Sequence, residues 1–482
     1  MANVLANDRI DGVRATVSTV VLSQVSSIES HVVLDAADGS VDVTTGAALG
    51  THTLVYTICN TGAVNVKTKT NSGIYALTYR ICEAASPTNC DTAVATVGAW
   101  PVYSRARRDA VGLGVAPASP RCPMISLTSV TRDSLDAFTI AVFRALGLTD
   151  EDAAIFGRAL VFSELRFHPG HGQGVKRLRR YQQRITERQV DPTARWEIVK
   201  ESPALALVDA HNGIGTVAAA KAMRLAIEKA KVCGIGQVVV RHSTHFGSSA
   251  VHACQASDAG CLGIAFTNAG PEMAPWGARE GAVGTNPWGI AAPTGLGFPA
   301  VLDIALTTAG KGMMQWHARE GRPMPLDWAL TPDGRETDDP NTAMTGALLG
   351  IGTYKGYGLA FMTDVLTGVI GGGGYGLTPY ADPAKLDVSH TLTAIDIAWF
   401  MPLAEFTRRM DDFARMVKSR ARRPGVAEVL IPGEQEARRV AKKAAGGVPL
   451  DDEVLADLQA LGRELGLTET LAIVGPWREP TL

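Results

Sequence analysis

The sequence predicts an α/β fold, a sheet with flanking helices, preceded by a β-rich extension. Three stretches point to it. Gly236 to Asn268, GQVVVRHSTHFGSSAVHACQASDAGCLGIAFTN, reads as strand, loop, helix and strand. Pro271 to Pro293, PEMAPWGAREGAVGTNPWGIAAP, is rich in Gly and Pro yet carries Trp276, Arg279, Thr285 and Asn286. That mixture suits ordered irregular chain lining a site, where glycines let backbone approach a ligand. Residues 1 to 125 are rich in Val, Thr, Ala and Gly and poor in helix formers, as a β-rich stretch would be.

Within the first stretch, Gln237 to Val240 is a short apolar run with three β-branched residues, followed by a polar loop. A buried parallel strand has that form. Ser248 to Asp258 reads as a helix closed by Gly260, and Leu262 to Phe266 as a second buried strand. Two such strands joined by a helix make a right-handed crossover in one parallel sheet. His242 and His245 then fall just past the first strand, and Thr267 and Asn268 just past the second. Both pairs emerge at the carboxyl edge, where open α/β sheets bind ligands.

Taken in order, residues 1–104 form a repeat-like extension. GTHTLVYTICNTGAVNV and SGIYALTYRICEAASPTNCDTAVATV are similar, and each alternates apolar and polar residues at period two, as half-buried strands do. Three readings stay open for it: a small accessory β domain, a disordered or partly folded extension, or a fusion of unrelated coding sequence. Residues 105–125 are a basic linker containing Pro and Gly, and residues 126–482 form the main domain. Thr131 caps a helix running to about Leu146, and Thr149 caps the next. Asp150, Glu151 and Asp152 favour the dipole of that second helix, and His168-Pro169 ends it. A helix from about Thr216 to Cys233 stops at Gly234. Gly371 to Gly376 reads as a flexible loop suited to a lid. A late strand, His390 to Asp396, is followed by helices over Leu403 to Arg422 and Asp451 to Leu465.

With 482 residues, 46% of them hydrophobic and 20% charged, the chain can bury a sizeable core. A net charge of −2 gives no support for a nucleic-acid or anionic-membrane surface. The basic runs Lys176 to Arg180 and Lys418 to Arg423 read as solvated helix faces. No apolar run reaches the ~18 residues that span a bilayer. The opening MANVLANDRIDG lacks the basic and apolar regions of a secretory signal. A cytoplasmic protein without nucleic-acid or membrane partners is therefore expected. Cys233, Cys254 and Cys261 read as small buried hydrophobes.

HSTHFGSSA, TNAGPEMAPWGARE, GTNPWGIAAP and YKGYGLAFMTDVLTG resemble, in that order, the malate/L-lactate dehydrogenase family of nicotinamide-dependent 2-oxoacid reductases. Sulfolactate, ureidoglycolate and cyclic-imine carboxylate enzymes belong to the same family. The resemblance runs from about Leu127 to the C-terminus. It implies a mixed sheet with flanking helices in the family's own non-Rossmann arrangement. It also implies NAD or NADP, a small carboxylate substrate, no metal and a homodimer. A Rossmann reading of Gly350 to Gly356, GIGTYKG, fails on context, because strand–turn–helix flanks and a following acidic residue are missing. The second N-terminal copy resembles the β-sandwich repeats of bacterial surface adhesins, in which an ICE…NCD pair brackets a loop. That likeness implies a pairing of Cys82 with Cys90, and the disulfide would need an oxidising compartment.

The family resemblance also assigns residues. His245 matches the catalytic histidine in its serine-x-His-Phe-Gly context. Oxidising a 2-hydroxyacid removes a hydroxyl proton as hydride leaves the same carbon, and imidazole has the pKa for that work. In RFHPGHGQGVKRLRRYQQRI the family carries Ser-His-Gly, then Arg, then Tyr. His171 and Arg177 take the His and Arg positions, with Tyr181 following. Gly170 stands where the serine falls, and Gln173-Gly174 is an insertion. A second register leaves His168 as the relevant imidazole. Arg177 would clamp a substrate carboxylate bidentately. Asn268, Ala269 (often serine in the family), Asp303-Ile304-Ala305, Lys355-Gly356 and Pro432-Gly433-Glu434 match cofactor-contacting positions. A lysine among glycines at a helix start suits a pyrophosphate or 2′-phosphate. His242 and His252 have no such support and read as structural.

Two other functions stay open on the sequence. One is an inactive family member acting as a binding or surface-interaction protein, motivated by Gly170, the insertion and the N-terminal stretch. The other is a metal hydrolase, suggested by HPGH and HSTH; neither pair has the helical i, i+4 spacing or a completing ligand set.

Overall fold

The computed structural model describes residues 127–168 and 172–480 and, before them, only the backbone of strands between residues 9 and 99. The chain divides into Met1–Ala118 and Ser119–Leu482. In the first unit, strands Gly73–Glu83 and Ser86–Ala99 pair antiparallel. Cys82 and Cys90 are register partners in that pair, but their side chains, and with them the expected disulfide, lie outside what is described, as does the 105–125 linker.

The second unit has two main cores. Thr131 and Thr149 open helices α1 (Arg132–Ala145) and α2 (Asp150–Arg166) by accepting the N–H of Ser134 and Asp152 at 3.3 and 3.2 Å. Phe138, Phe143, Phe156 and Leu160 from these helices pack with Leu455, Leu458 and Leu461 of the helix Asp452–Glu464. A three-stranded antiparallel sheet completes this half, with Leu127–Val130 between Val448–Asp451 and Ile473–Pro476. The two outer strands, VPLD and IVGP, each carry a proline, so no periodicity announces them. Helix α3 (Leu178–Thr186), behind a tight turn at Val175–Arg177, joins this core through Leu178 and Tyr181.

The second core is built on a seven-stranded sheet. Its order is Glu197–Glu201, Leu205–Asp209, Ile235–Ser243, Val388–Asp396, Cys261–Thr267, Trp288–Ala292, Ala300–Ile304. The sheet is mixed, which corrects the parallel reading of Gln237–Val240 and Leu262–Phe266. Those two strands point the same way, but Val388–Asp396 lies between them, antiparallel to both. Only Leu205–Asp209 pairs parallel with Ile235–Ser243. An apolar run marks a strand buried on both faces; it does not reveal the direction of a neighbour supplied much later in the chain. Both strands still end at the same edge.

Helices α4 (Gly215–Cys233) and α5 (Ser249–Asp258) cover one face, and Gly234 and Gly260, at φ +83° and +72°, follow their last turns. They sit unusually close to the sheet because small residues line up across it. Gly236 and Gly263 are both register partners of Ala394. A Cβ on Gly236 would lie 2.0 Å from the Ala226 carbonyl oxygen, and one on Gly263 2.2 Å from that of Ala253. The alanine-rich helices therefore rest on strand backbone.

Helices α6 (Lys311–Arg319) and α7 (Pro340–Ala343) pack together, with Met314 and Met324 buried beside them. Helix α8 (Tyr354–Asp364) continues as a π-helical turn over Val365–Val369. It lies on the other face of the sheet, where Thr391 donates to the Leu366 carbonyl at 2.5 Å. The glycine run that follows packs closely at three positions. A Cβ at Gly371, Gly373 or Gly374 would meet Val239 Cγ1, Ser389 Oγ or the Asp387 carbonyl at 2.9, 2.4 and 2.3 Å. The glycines serve close approach at the sheet edge. No helix among the described residues is long and apolar enough to cross a membrane.

Candidate active site

The first sheet strand ends in two histidines that turn to different partners. His242, at φ +49°, meets Asp209 Oδ2 through Nδ1 at 2.8 Å, next to Arg241 Nε at 3.0 Å. His245 Nδ1 lies 2.6 Å from the Tyr181 hydroxyl and accepts the Gly247 N–H at 3.2 Å. A backbone N–H only donates, so Nδ1 is an acceptor and the proton of the neutral ring sits on Nε2. Tyr181 keeps its own proton, because burial pushes its pKa up to about 12. Its ring is locked edge-on against Phe156, with centroids 4.6 Å apart. Burial first, and then the charges of Arg177, Arg184 and Arg180, hold His245 well below the usual histidine range. The ring is therefore neutral at neutral pH.

Phe246 anchors the next position, buried between the rings of His390 and His252 at 4.9 and 4.8 Å. His390 ties three strand ends together, with Nδ1 2.7 Å from Thr267 Oγ1 and Nε2 2.9 Å from Ser243 Oγ. Burial pushes its pKa down to about 3 and that of His252 to about 4, so both are neutral packing groups. Sequence reasoning did not find the role of His390, because a lone histidine inside an apolar strand carries no local signal of its cross-strand partners.

Arg177 lies in the turn before α3, and its Nε donates to the Gly172 carbonyl at 2.6 Å. Gly170 and His171 lie outside the described residues. His168, the alternative imidazole, meets the Trp316 ring edge-on at 4.9 Å. The basic run on α3 is not a uniformly solvated face. Arg179 is ion-paired with Asp457 at 3.0 Å and with Glu464, whereas Arg177, Arg180 and Arg184 all act on His245. Tyr181, four residues after Arg177, shares that face, and this spacing was the available clue to its role.

The other assigned residues fall into two groups. Asp303 and Ile304 end a strand, and Ala305 follows it. Asp303 Oδ2 accepts the Ala250 N–H at 2.9 Å, capping α5 from a different strand, and burial pushes its pKa up to about 6. Pro432 and Gly433 lie against the same strand, with the Val301 N–H donating to the Pro432 carbonyl at 3.1 Å. The Glu434 carboxylate is engaged by Lys418, by Arg438 at 2.6 Å and by the Ile431 N–H at 3.2 Å. Asn268 is committed internally, accepting the Ser389 N–H at 2.8 Å and donating to the Gly374 carbonyl at 2.6 Å. The Ala269 N–H donates to Asn286 Oδ1 at 3.0 Å. These amides hold loops in place.

The second group suits an anion. Lys355 is exposed in the first turn of α8, and its N-cap, Thr353 at φ +64°, makes no side-chain cap. Gly356 packs against the Leu306 carbonyl. Helix α6 is likewise uncapped by a side chain and starts with Lys311, 3.1 Å from Glu272. A bridge between Thr307 and Gly350 brings the two helix starts together, and Thr307 Oγ1 is buried there without a partner. A Cβ at Gly310 would meet nothing within 4 Å. Two uncapped helix starts bearing lysine, an orphaned hydroxyl and open space fit the diphosphate of a dinucleotide.

The mixed sheet, the histidine–tyrosine pair at its edge and the two uncapped helix starts define an α/β protein with a candidate site at one sheet edge. The chain belongs to the malate/L-lactate dehydrogenase family, which residues 130–459 match. It is 35% identical to a malate dehydrogenase of Pyrococcus abyssi over 70% of this chain and 95% of that protein. It is 35% identical to the L-sulfolactate dehydrogenase of Methanocaldococcus jannaschii over 68% of this chain and 94% of that one. The solved malate dehydrogenase structure from Pyrococcus horikoshii superposes with a TM-score of 0.66 at 32% identity, covering 71% of this chain and 97% of that one. The adhesin-type resemblance of the first unit finds no support in these comparisons.

Proposed function

We propose that the chain is an oxidoreductase that transfers hydride between NADH or NADPH and a small 2-oxo or 2-hydroxy carboxylate of malate, lactate or sulfolactate type. One observation carries this reading: a neutral His245, hydrogen-bonded to Tyr181 at a strand end, beside a face of arginines. Residues 126–482 form the catalytic domain. Arg177, with His171, anchors the substrate carboxylate. In reduction, His245, having taken a proton from solvent, gives its Nε2 proton to the carbonyl oxygen and is left neutral, while the Tyr181 hydroxyl holds the ring through Nδ1. Oxidation runs the same path in reverse. The nicotinamide supplies or accepts the hydride at the same carbon. Asp303 to Ala305 and Pro432 to Glu434 shape one side of its site, Asn268 and Ala269 hold the loop beside it, and Lys355 and Gly356, with Lys311 and Thr307, face the diphosphate. The malate and sulfolactate activities named for the relatives support the substrate class.

The test is loss of nicotinamide absorbance with the purified full chain. NADH and NADPH are each paired with pyruvate, oxaloacetate, a sulfonated 2-oxoacid and a cyclic-imine carboxylate. Turnover with at least one pair is expected. No turnover, together with no cofactor binding by titration, would sink the reading in favour of an inactive binding protein.

A homodimer belongs to the same proposal. Helix α8 and its π turn expose Leu359, Met362, Leu366, Val369 and Ile370 at helical spacing. A contiguous apolar stripe of this kind marks an interface, and a two-fold copy of the same stripe is the simplest occupant. Met362→Glu is expected to leave monomers in sedimentation velocity where the unaltered chain sediments as a dimer. A dimer that persists unchanged would place the interface elsewhere.

A further inference from the structure

We propose that Arg180 and Arg184 form, with Arg177, a site for a second anionic group of the substrate, so that the chain selects dianionic 2-oxo acids over monoanions. Their role rests on the oxidoreductase reading above and narrows its substrate class to acids bearing a carboxylate or sulfonate beyond the reacting centre.

Four arginines lie in one short segment, and they divide by face. Arg179 is neutralised by Asp457 and Glu464. Arg177, Arg180 and Arg184 form no ion pair among the described residues. They follow one another at i, i+3 and i+7, so they share a face with Tyr181. Tyr181 fixes the distance of that face from the chemistry, because its hydroxyl is 2.6 Å from His245 Nδ1. Arg184 lies over the Tyr380 ring at 5.2 Å. A Cβ on Gly270 would lie 3.2 Å from that ring, so the arginine face is bounded by the loop that follows Asn268.

Like charges gathered without a counterion oppose one another. Arg180 shows it: loss of water around the guanidinium and then the charges of Arg184 and Arg177 lower its pKa, although the side chain keeps substantial exposure. The acidic residues that relieve Arg179 lie on the other side of the helix. A cationic cluster beside the proton-transfer residue, with no acidic partner among the described residues, is relieved when an anionic ligand binds. One carboxylate, clamped by Arg177, leaves two of the three charges unbalanced. A second anionic group on the same small molecule falls to Arg180 and Arg184.

The experiment compares oxaloacetate with its β-amide, 2-oxosuccinamate, which has nearly the same shape and one charge less. The full chain is used in each case. The ratio of kcat/KM for acid over amide is expected to be at least tenfold. Arg184→Gln and Arg180→Gln are each expected to lower that ratio about tenfold, mainly through KM for the dianion, with amide turnover kept. Arg179→Gln is expected to leave the ratio unchanged. An unaltered chain that uses acid and amide equally would overturn the proposal, as would variants that lose both substrates in parallel. Calorimetric binding of malate against malamate reads the same selectivity without turnover. A chain that binds malate preferentially, loses that preference in Arg184→Gln and never turns over would keep the cluster's role and overturn the enzymatic reading instead.

Discussion

Replacing His245 with alanine is expected to lower kcat about a thousandfold, the scale of a positioned proton donor, with cofactor affinity nearly unchanged. In the proposed reaction the ring meets both the substrate oxygen and the Tyr181 hydroxyl, and Phe246, held between His390 and His252, keeps the backbone in place without it. Stopped-flow turnover with a fluorescence titration of the nicotinamide separates the two quantities. A fall of less than about tenfold would remove His245 from proton transfer, because water would then substitute for it too easily. The pH dependence follows from the same surroundings. Burial and the neighbouring arginines disfavour imidazolium, so the base form persists well below the usual histidine pKa. For oxidation of the hydroxyacid, which needs that base form, kcat/KM is expected to stay flat as pH falls through 6.5, the ordinary histidine value. An acid limb centred at or above that value would contradict it.

Arg177→Gln is the second large effect. It removes the proposed bidentate clamp for the substrate carboxylate, which is expected to raise KM about a hundredfold. Arg177→Lys keeps the charge and loses the fork, so it should recover only part of the loss. The glutamine variant also removes the largest charge acting on His245. The acid limb of kcat/KM should therefore move to higher pH in Arg177→Gln and much less in Arg177→Lys. Arg177 Nε also holds the Gly172 carbonyl, so protease cleavage between residues 172 and 174 should quicken in both variants. A KM within threefold of the unaltered chain in Arg177→Gln would show that another group carries the carboxylate.

Much of this was legible before any coordinates. Thr131, Thr149, Gly234 and Gly260 act through their own few neighbours, so the helices they bound could be read directly. His245 was legible because a histidine just past an apolar strand is delivered to the sheet edge whichever way the next strand runs. The strand end at Asp303 was legible but not its role as the cap of α5, since its partner, the Ala250 N–H, lies 53 positions away. Asn268 and Ala269 carry the reverse lesson. Their positions were found, yet their amides are occupied by Ser389, Gly374 and Asn286, and only packed chain shows which polar groups are already satisfied.

What the sequence alone determined is therefore local: the helix ends, the buried strands, and the histidine and lysine at their exits. The tertiary structure decided the rest. It inserted Val388–Asp396 antiparallel between two strands that point the same way. It packed the glycines of 371–374 against the sheet edge, and it divided the arginines around α3 into one paired with acids and three whose unpaired charges act on His245. The physical reason is the same each time. Caps, turns and periodicity are set by neighbours in the chain, whereas strand order, close approach and charge balance are set by groups that meet only after the chain has folded.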